Sequence, residues 1–140
     1  MLKKTMTYTD FDGNERTEDF YFNLTQAELL EMEVSTEGGM EKFVKRIVDA
    51  RSGKDIAEVF KTIILKAYGE KSLDGKHFVK TPEITENFKY TQAYSDLYME
   101  LAMDDAKASA FINGIIPQDM QIDEKEIKKI SEDIGVQQNA

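Results

Sequence analysis

The sequence predicts an α+β fold that is mainly helical, an N-terminal β-hairpin packed on a bundle of about five helices and followed by a flexible polar C-terminal tail. Three observations carry that expectation. Apolar and polar residues alternate with period two on both sides of Asp12-Gly13-Asn14. Over Asp55–Tyr68 they recur instead at intervals of three and four, the spacing of an amphipathic helix. Capping residues stand ahead of several further apolar runs.

The first strand sets Leu2, Lys4, Met6 and Tyr8 against Lys3, Thr5, Thr7 and Thr9, with threonines that favour extended backbone. Asp12-Gly13-Asn14 supplies turn residues, and Thr17 to Phe22 returns with Phe20 and Phe22 on one face and Tyr21 on the other. A two-stranded hairpin is marginal in water, so this one must lie on helices or pair with another strand, its own or a partner subunit's. Thr25 and Glu28 then form a capping box flanked by a Leu24–Leu29 staple, opening a helix to about Val34. Thr36 through Gly39 breaks it. A second helix, 39–51, carries Met40, Phe43, Val44, Ile47 and Val48 on one stripe and closes at Ser52-Gly53; so short a connection favours an antiparallel pair with the next helix.

That next helix is the centre of the expected core. Ile56, Val59, Phe60, Ile63, Ile64, Ala67 and Tyr68 form its stripe and Leu65 widens it. Asp55 can cap its start, and Gly69 is expected in the left-handed position at its end. Residues 69–81 break the pattern around Asp74-Gly75, as a short hairpin or a loop pinned by Phe78. Thr81-Pro82 opens a helix over 82–89 that buries Ile84 and Phe88. Thr91 restarts the pattern, and Ala93, Tyr94, Leu97, Tyr98, Leu101 and Ala102 stripe a helix over 92–103. Asp104 or Asp105 caps a further helix through Phe111 and Ile112 that is expected to end at Gly114. Pro117 closes the compact part, giving one domain over 1–117. The tail, 118–140, is polar; Asp123 and Glu126 could cap one helix lined by Ile127, Ile130 and Ile134, too thin a stripe to hold alone, with disorder expected from Val136 to Ala140.

Composition removes whole classes of function. A chain of 140 residues can bury one core without staples. It has no cysteine, so disulfides, thiolate metal sites and cysteine nucleophiles are excluded. The net charge of −9, from 27 acids against 18 bases, repels phosphate backbones, and no basic patch offsets it, so nucleic acid is not an expected partner. No apolar run approaches the roughly 20 residues of a membrane span, and MLKKTMTYTDF lacks the apolar core of a secretory signal. A soluble cytoplasmic protein is expected, with no membrane association.

Catalytic chemistry finds little support. His77, the single histidine, sits in a loop with no nucleophile or carboxylate constellation around it. Asp10 to Asn14 resembles the start of a calcium loop, but its glycine is fourth where that loop needs it sixth, so a hairpin turn is the better reading. Glu37-Gly38-Gly39 has no phosphate-loop lysine-serine pair after it. Asp104-Asp105 and Asp123-Glu124 are explained more simply as caps or solvated faces than as a dyad or metal site. No enzyme activity, cofactor or metal is expected. Partner surfaces offer more. Met99 and Met103 lie four apart beside the Tyr94–Leu101 stripe, in line with Ala106 and Ala110 if the helix runs on, and methionine suits adaptable grooves. Burial of that helix on two sides is the other reading, and it is favoured over a groove. Phe111, Ile112, Ile115 and Ile116 make a second candidate, a dense cluster of a kind more often core than interface.

The segments TYTDFDGNERTEDFYFNLTQAEL, ILKAYGEKSLDGKHFVK, QAYSDLYMEL and FINGIIP, in that order, resemble the tail assembly chaperones of siphophages and prophages of Gram-positive bacteria. The resemblance covers about residues 5–117 and leaves out the polar tail. It implies a non-enzymatic role in the host bacterial cytoplasm: binding the long, hydrophobic, helical tape-measure protein, keeping it soluble, and recruiting tail-tube protein around it, with the chaperone absent from the finished tail. It also implies that a ribosomal frameshift can add a second domain to a minority of copies, and Lys128-Lys129 is compatible with an A-rich slippery run. No motif residues come with it. Two other readings stay open: a structural virion protein (a tail-tube or head–tail joining component) and a small regulatory or host-inhibiting binding protein.

Overall fold

The computed structural model describes residues 1–35 and 56–117. Among them the chain runs through β1 (Leu2–Thr9), β2 (Glu15–Phe22), α1 (Gln26–Ser35), α2 (Ile56–Ala67), β3 (Tyr68–Lys71), β4 (Phe78–Val79), α3 (Pro82–Lys89), α4 (Gln92–Met103) and α5 (Asp105–Ile115). The fold is mixed α+β, with four antiparallel strands in the order β1-β2-β3-β4. The helix expected over 39–51, its flanking breaks, the Asp55 cap and the tail 118–140 lie outside the described residues.

The β1–β2 register runs from Leu2↔Phe22 to Thr9↔Glu15, so β2 begins two residues before the expected Thr17. The cause is Asp10. Its Oδ1 accepts the backbone N–H of Asp12 (3.0 Å) and Asn14 (2.9 Å), its Oδ2 accepts Arg16 Nε (2.6 Å), and Gly13 takes a φ of 84°. The turn is closed so tightly that pairing starts at once. The Arg16 bond, joined by the backbone donors, holds the Asp10 carboxyl below its ordinary range. The period-two reading holds: Met6, Phe20 and Phe22 are buried, while Thr5 donates to Asp19 and Thr7 pairs with Thr17 across the outer face. The hairpin gains a neighbour from its own chain, because β3 adds to β2 at Tyr21↔Gly69 and Phe22↔Tyr68.

The capping box forms. The Glu28 N–H donates to Thr25 Oγ1 (3.2 Å), and Glu28 Oε1 accepts the Thr25 N–H (2.9 Å). Glu28 Oε2 also takes Lys80 Nζ at 2.6 Å, tying α1 to the segment after β4. Three other caps match their sequence signals. Thr81, Thr91 and Asp104 accept the N–H of Ile84 (3.2 Å), Tyr94 (3.1 Å) and Lys107 (3.1 Å).

Two glycines do something other than end a helix. Helix α2 stops at Ala67 and Tyr68 already belongs to β3, against the expectation of a helix to Tyr68 closed by a left-handed Gly69. Among the described residues only Gly13 and Gly75 have positive φ. The Ala67 carbonyl is satisfied instead by the Asn23 N–H at 2.8 Å, so the chain passes straight into a strand. Gly69 is needed for space, since a Cβ there would meet the Phe78 ring at 2.9 Å. Gly114 likewise does not end its helix. It lies inside α5 where Leu2 crosses, and a Cβ would stand 3.0 Å from Leu2 Cδ1.

One cluster fills the core. Phe60, Ile63, Ile64 and Ala67 of α2 join Phe22, Leu24, Leu29, Phe88, Leu97, Leu101 and Ile115. Phe88 is its aromatic node, stacked on Tyr68 at 4.0 Å and edge-on to Phe22 and Tyr94.

Gly69→Val should lower stability by about 1–3 kcal/mol through overpacking, and adding Phe78→Ala should restore part of it in urea denaturation. Glu28 is the pH-sensitive point of the α1 junction. Burial pushes its carboxyl up, but Lys80 and Thr25 outweigh that and leave it below its ordinary 4.5. A depressed carboxyl contributes stability above its unfolded-state value and loses it as pH falls through the folded one. Stability should therefore drop as pH falls below about 4.5, and Glu28→Gln should flatten that drop in urea titrations across the acid range.

Candidate functional site

Helix α4 has a buried face and an exposed one, with half-buried residues between them. Ala93, Leu97 and Leu101 are buried, and Tyr94, Tyr98 and Ala102 pack partly on the core. Met99 is 51% and Met103 79% exposed, so this helix is buried on one side only. Asp96, Met99, Glu100 and Met103 are spaced i, i+3, i+4, i+7, and on a helix those four adjoin one another in a single surface patch.

The patch is braced. Glu100 Oε2 meets Lys4 Nζ of β1 at 3.0 Å, and Oε1 meets Lys107 Nζ of α5 at 3.4 Å. Asp96 Oδ1 accepts from the Gln92 side-chain amide at 2.9 Å. The methionine line does not continue into Ala106 and Ala110 along one helix. Asp104 leaves the helical region (φ −135°, ψ 109°) to cap α5, so those exposed alanines belong to a separate helix. The two sequence candidates are not brought together. Phe111, Ile112, Ile115 and Ile116 are all buried, with Phe111 edge-on to Phe22 at 5.2 Å.

Sequence reasoning passed over other exposed apolar side chains: Phe11 and Leu73 at the tips of the two hairpins, Leu30 on α1, and Tyr90. An apolar residue embedded in turn chemistry, as in Asp10-Phe11-Asp12 or Ser72-Leu73-Asp74, was the available signal. The Ser72–His77 turn is braced from within: Asp74 Oδ1 accepts Ser72 Oγ (2.6 Å) and the Lys76 N–H (3.0 Å). Two shallow grooves flank α2. One of about 250 Å³ is lined by Leu24, Glu28, Glu31 and Lys66. The other, about 360 Å³, is lined by Lys61, Thr62, Leu65, Lys66, Lys80 and Thr85. Lys80, which reaches the second, is already bonded to Glu28 and to the Asn23 carbonyl.

His77 is exposed in its turn, and its backbone N–H donates to Ser72 Oγ. The Tyr8 hydroxyl donates to Glu18, which, with partial burial, pushes its pKa up to about 12; this is a cross-strand bond of the hairpin. Among the described residues no group of three or more His, Cys, Asp or Glu could hold a metal, and no helix is long and apolar enough to cross a membrane.

A family model described as phage tail assembly chaperone matches residues 1–139, taking in the polar tail that the sequence resemblance left out. No curated protein and no solved structure matches the chain significantly.

The exposure of the methionines has a direct check. Replacing Met99 and Met103 together with serine should change unfolding free energy by no more than about 0.5 kcal/mol, whereas Leu97→Ala, on the buried face of the same helix, should cost about 2–5 kcal/mol. A loss of the second size in the double-serine variant would place these side chains in the core.

Proposed function

Since the chain belongs to the phage tail assembly chaperone family, we propose that it binds the tape-measure protein without enzymatic chemistry and keeps it soluble in the host bacterial cytoplasm while the tail assembles. Tail-tube protein is the second partner on this reading. A role in tail assembly comes with the family; the identity of the partner is the step taken here.

The observation that carries it is the exposed Met99–Met103 pair on a helix whose other face is locked into the core. A long apolar helical partner needs a surface that accepts many slightly different segments. Methionine provides that, because its unbranched thioether chain repacks at low cost. A helix laid across α4 would cover apolar stripe residues at i, i+3, i+4 and i+7 in the manner of helix-in-groove recognition. The small size of the patch suits a chaperone that must also stay soluble when empty, and the net charge of −9 works in the same direction.

Co-expression with the tape-measure protein of the same genome tests this. The tape measure should stay soluble and co-purify, and the Met99→Ser/Met103→Ser variant should lose most of that effect while remaining folded. If the tape measure precipitates while this chain stays soluble and unbound, with and without any frameshift-extended form, the partner is wrong.

A further inference from the structure

We propose that the segment docked on α4 is an amphipathic helix whose apolar stripe is flanked by lysine or arginine. The inference rests on the reading above for the place of docking and adds the chemistry of the occupant.

The argument is charge complementarity around the exposed methionines. Between Thr91 and Lys107 the chain carries Asp96, Glu100, Asp104 and Asp105 and no base. Two of those acids share the methionine patch. Asp96 lies three residues before Met99, and Glu100 three before Met103. In helical projection both carboxylates fall on the same flank of the methionine pair, so the patch is an apolar ridge with one acidic edge.

Among the described residues, two cations reach that edge. Lys4 and Lys107 both bind Glu100, at 3.0 and 3.4 Å, which fixes its position and offsets part of its charge. Asp96 is held by the neutral Gln92 amide, which leaves its charge in place. A helix lying on Met99 and Met103 therefore runs beside at least one carboxylate, that of Asp96, which has no basic partner among the described residues. An occupant with acids at its flank meets repulsion there; one with bases gains a pair at the rim and is steered toward the ridge. Rim pairs act mainly on encounter and register, so the preference must weaken with salt.

The probe is a pair of labelled peptides about five turns long, with identical leucine stripes and flanks of lysine in one and glutamate in the other. Binding to the full chain is followed by fluorescence anisotropy at low and high salt. The lysine peptide should bind at least about tenfold more tightly at low salt, with the gap closing as salt rises. Because an acidic chain attracts any cationic peptide, a remote control is required. Asp96→Lys should weaken the lysine peptide about tenfold, while Glu83→Lys, the same charge change on the exposed first turn of α3, should weaken it no more than about twofold. Met99→Ser/Met103→Ser should remove most binding. Equal affinity for the two peptides, equal effects of the two lysine substitutions, or indifference to the methionine change would each overturn the proposal. A tape measure kept soluble by a chain that prefers neither peptide would leave the chaperone reading standing and this one fallen. A lysine-peptide preference without tape-measure binding would do the reverse.

Discussion

The fold turns on two consecutive backbone amides. At the end of β2 the Asn23 N–H donates to the Ala67 carbonyl and the Leu24 N–H donates to the Ile115 carbonyl, at 2.8 and 2.7 Å. A helix C-terminus leaves carbonyls without intrahelical partners, and burying one unpaired costs on the order of 1–3 kcal/mol. Here one dipeptide satisfies the ends of both α2 and α5. The Asn23 carbonyl, in turn, accepts Lys80 Nζ at 2.6 Å, which brings in the segment between β4 and α3. Strand, two helices and the second hairpin are thus joined where Leu24 is buried at 1% exposure. The capping box of α1 begins at the very next residue, so the same corner sets the direction of a third helix.

From that corner the packing spreads through aromatic rings. Phe20 and Phe22 leave β2 on one face, and both reach Phe88 of α3, while Phe22 alone reaches Phe111 of α5. Phe88 continues to Tyr94 at the start of α4. The exposed methionines therefore sit on a helix fixed at its first turn by Phe88, along its length by Leu97 and Leu101, and at its outer edge by the Lys4–Glu100 pair. The methionine side chains are exposed, while the helix beneath them is packed on its other face. On the proposed docking reading, that division lowers the ordering cost of binding while keeping the surface adaptable.

Much of this could be read from the sequence because the signals were local. The alternation of Leu2 to Thr9, the Thr25–Glu28 box, Thr81-Pro82, Thr91 and Asp104 each specify backbone within a few residues of themselves, and each is found as expected. The failures at Gly69, Gly114 and the β2–β3 pairing were non-local. Gly69 looked like a helix stop because the residue that takes the Ala67 carbonyl, Asn23, is far away in the chain. Gly114 looked the same way, and the reason it is glycine is Leu2, at the other end of the described fold. A short hairpin over 69–81 is one of the two readings the sequence allows, and β3 and β4 form it, but nothing local tells that β3 also adds to the β2 edge at Tyr21 and Phe22. For the candidate surface, displacement from the helix stripe raises Met99 and Met103 only as the lesser reading beside a helix buried on two sides, and their exposure overturns the favoured one. Apolar density alone could not tell that Phe111, Ile112, Ile115 and Ile116 are turned inward, since a core and an interface are built from the same residues.

The small size of the ridge limits how it can act. Two methionines and a rim carboxylate bury far less than the roughly 1,200 Å² of a stable interface, so one copy on one helical segment forms a weak contact. A long helical partner changes the arithmetic. Repeated segments allow many copies to bind along it, and each weak contact then contributes to solubility without any one being hard to release. On the tape-measure reading that is the required behaviour, because a chaperone absent from the finished tail must yield its contacts as tube protein arrives. A large, rigid apolar groove would mask the partner more strongly and release it less readily. It would also have been a liability on the empty chain, exposing apolar surface to other copies. On that reading, weakness per contact, adaptable side chains on a fixed helix and a net charge of −9 serve one requirement, namely holding an insoluble partner reversibly.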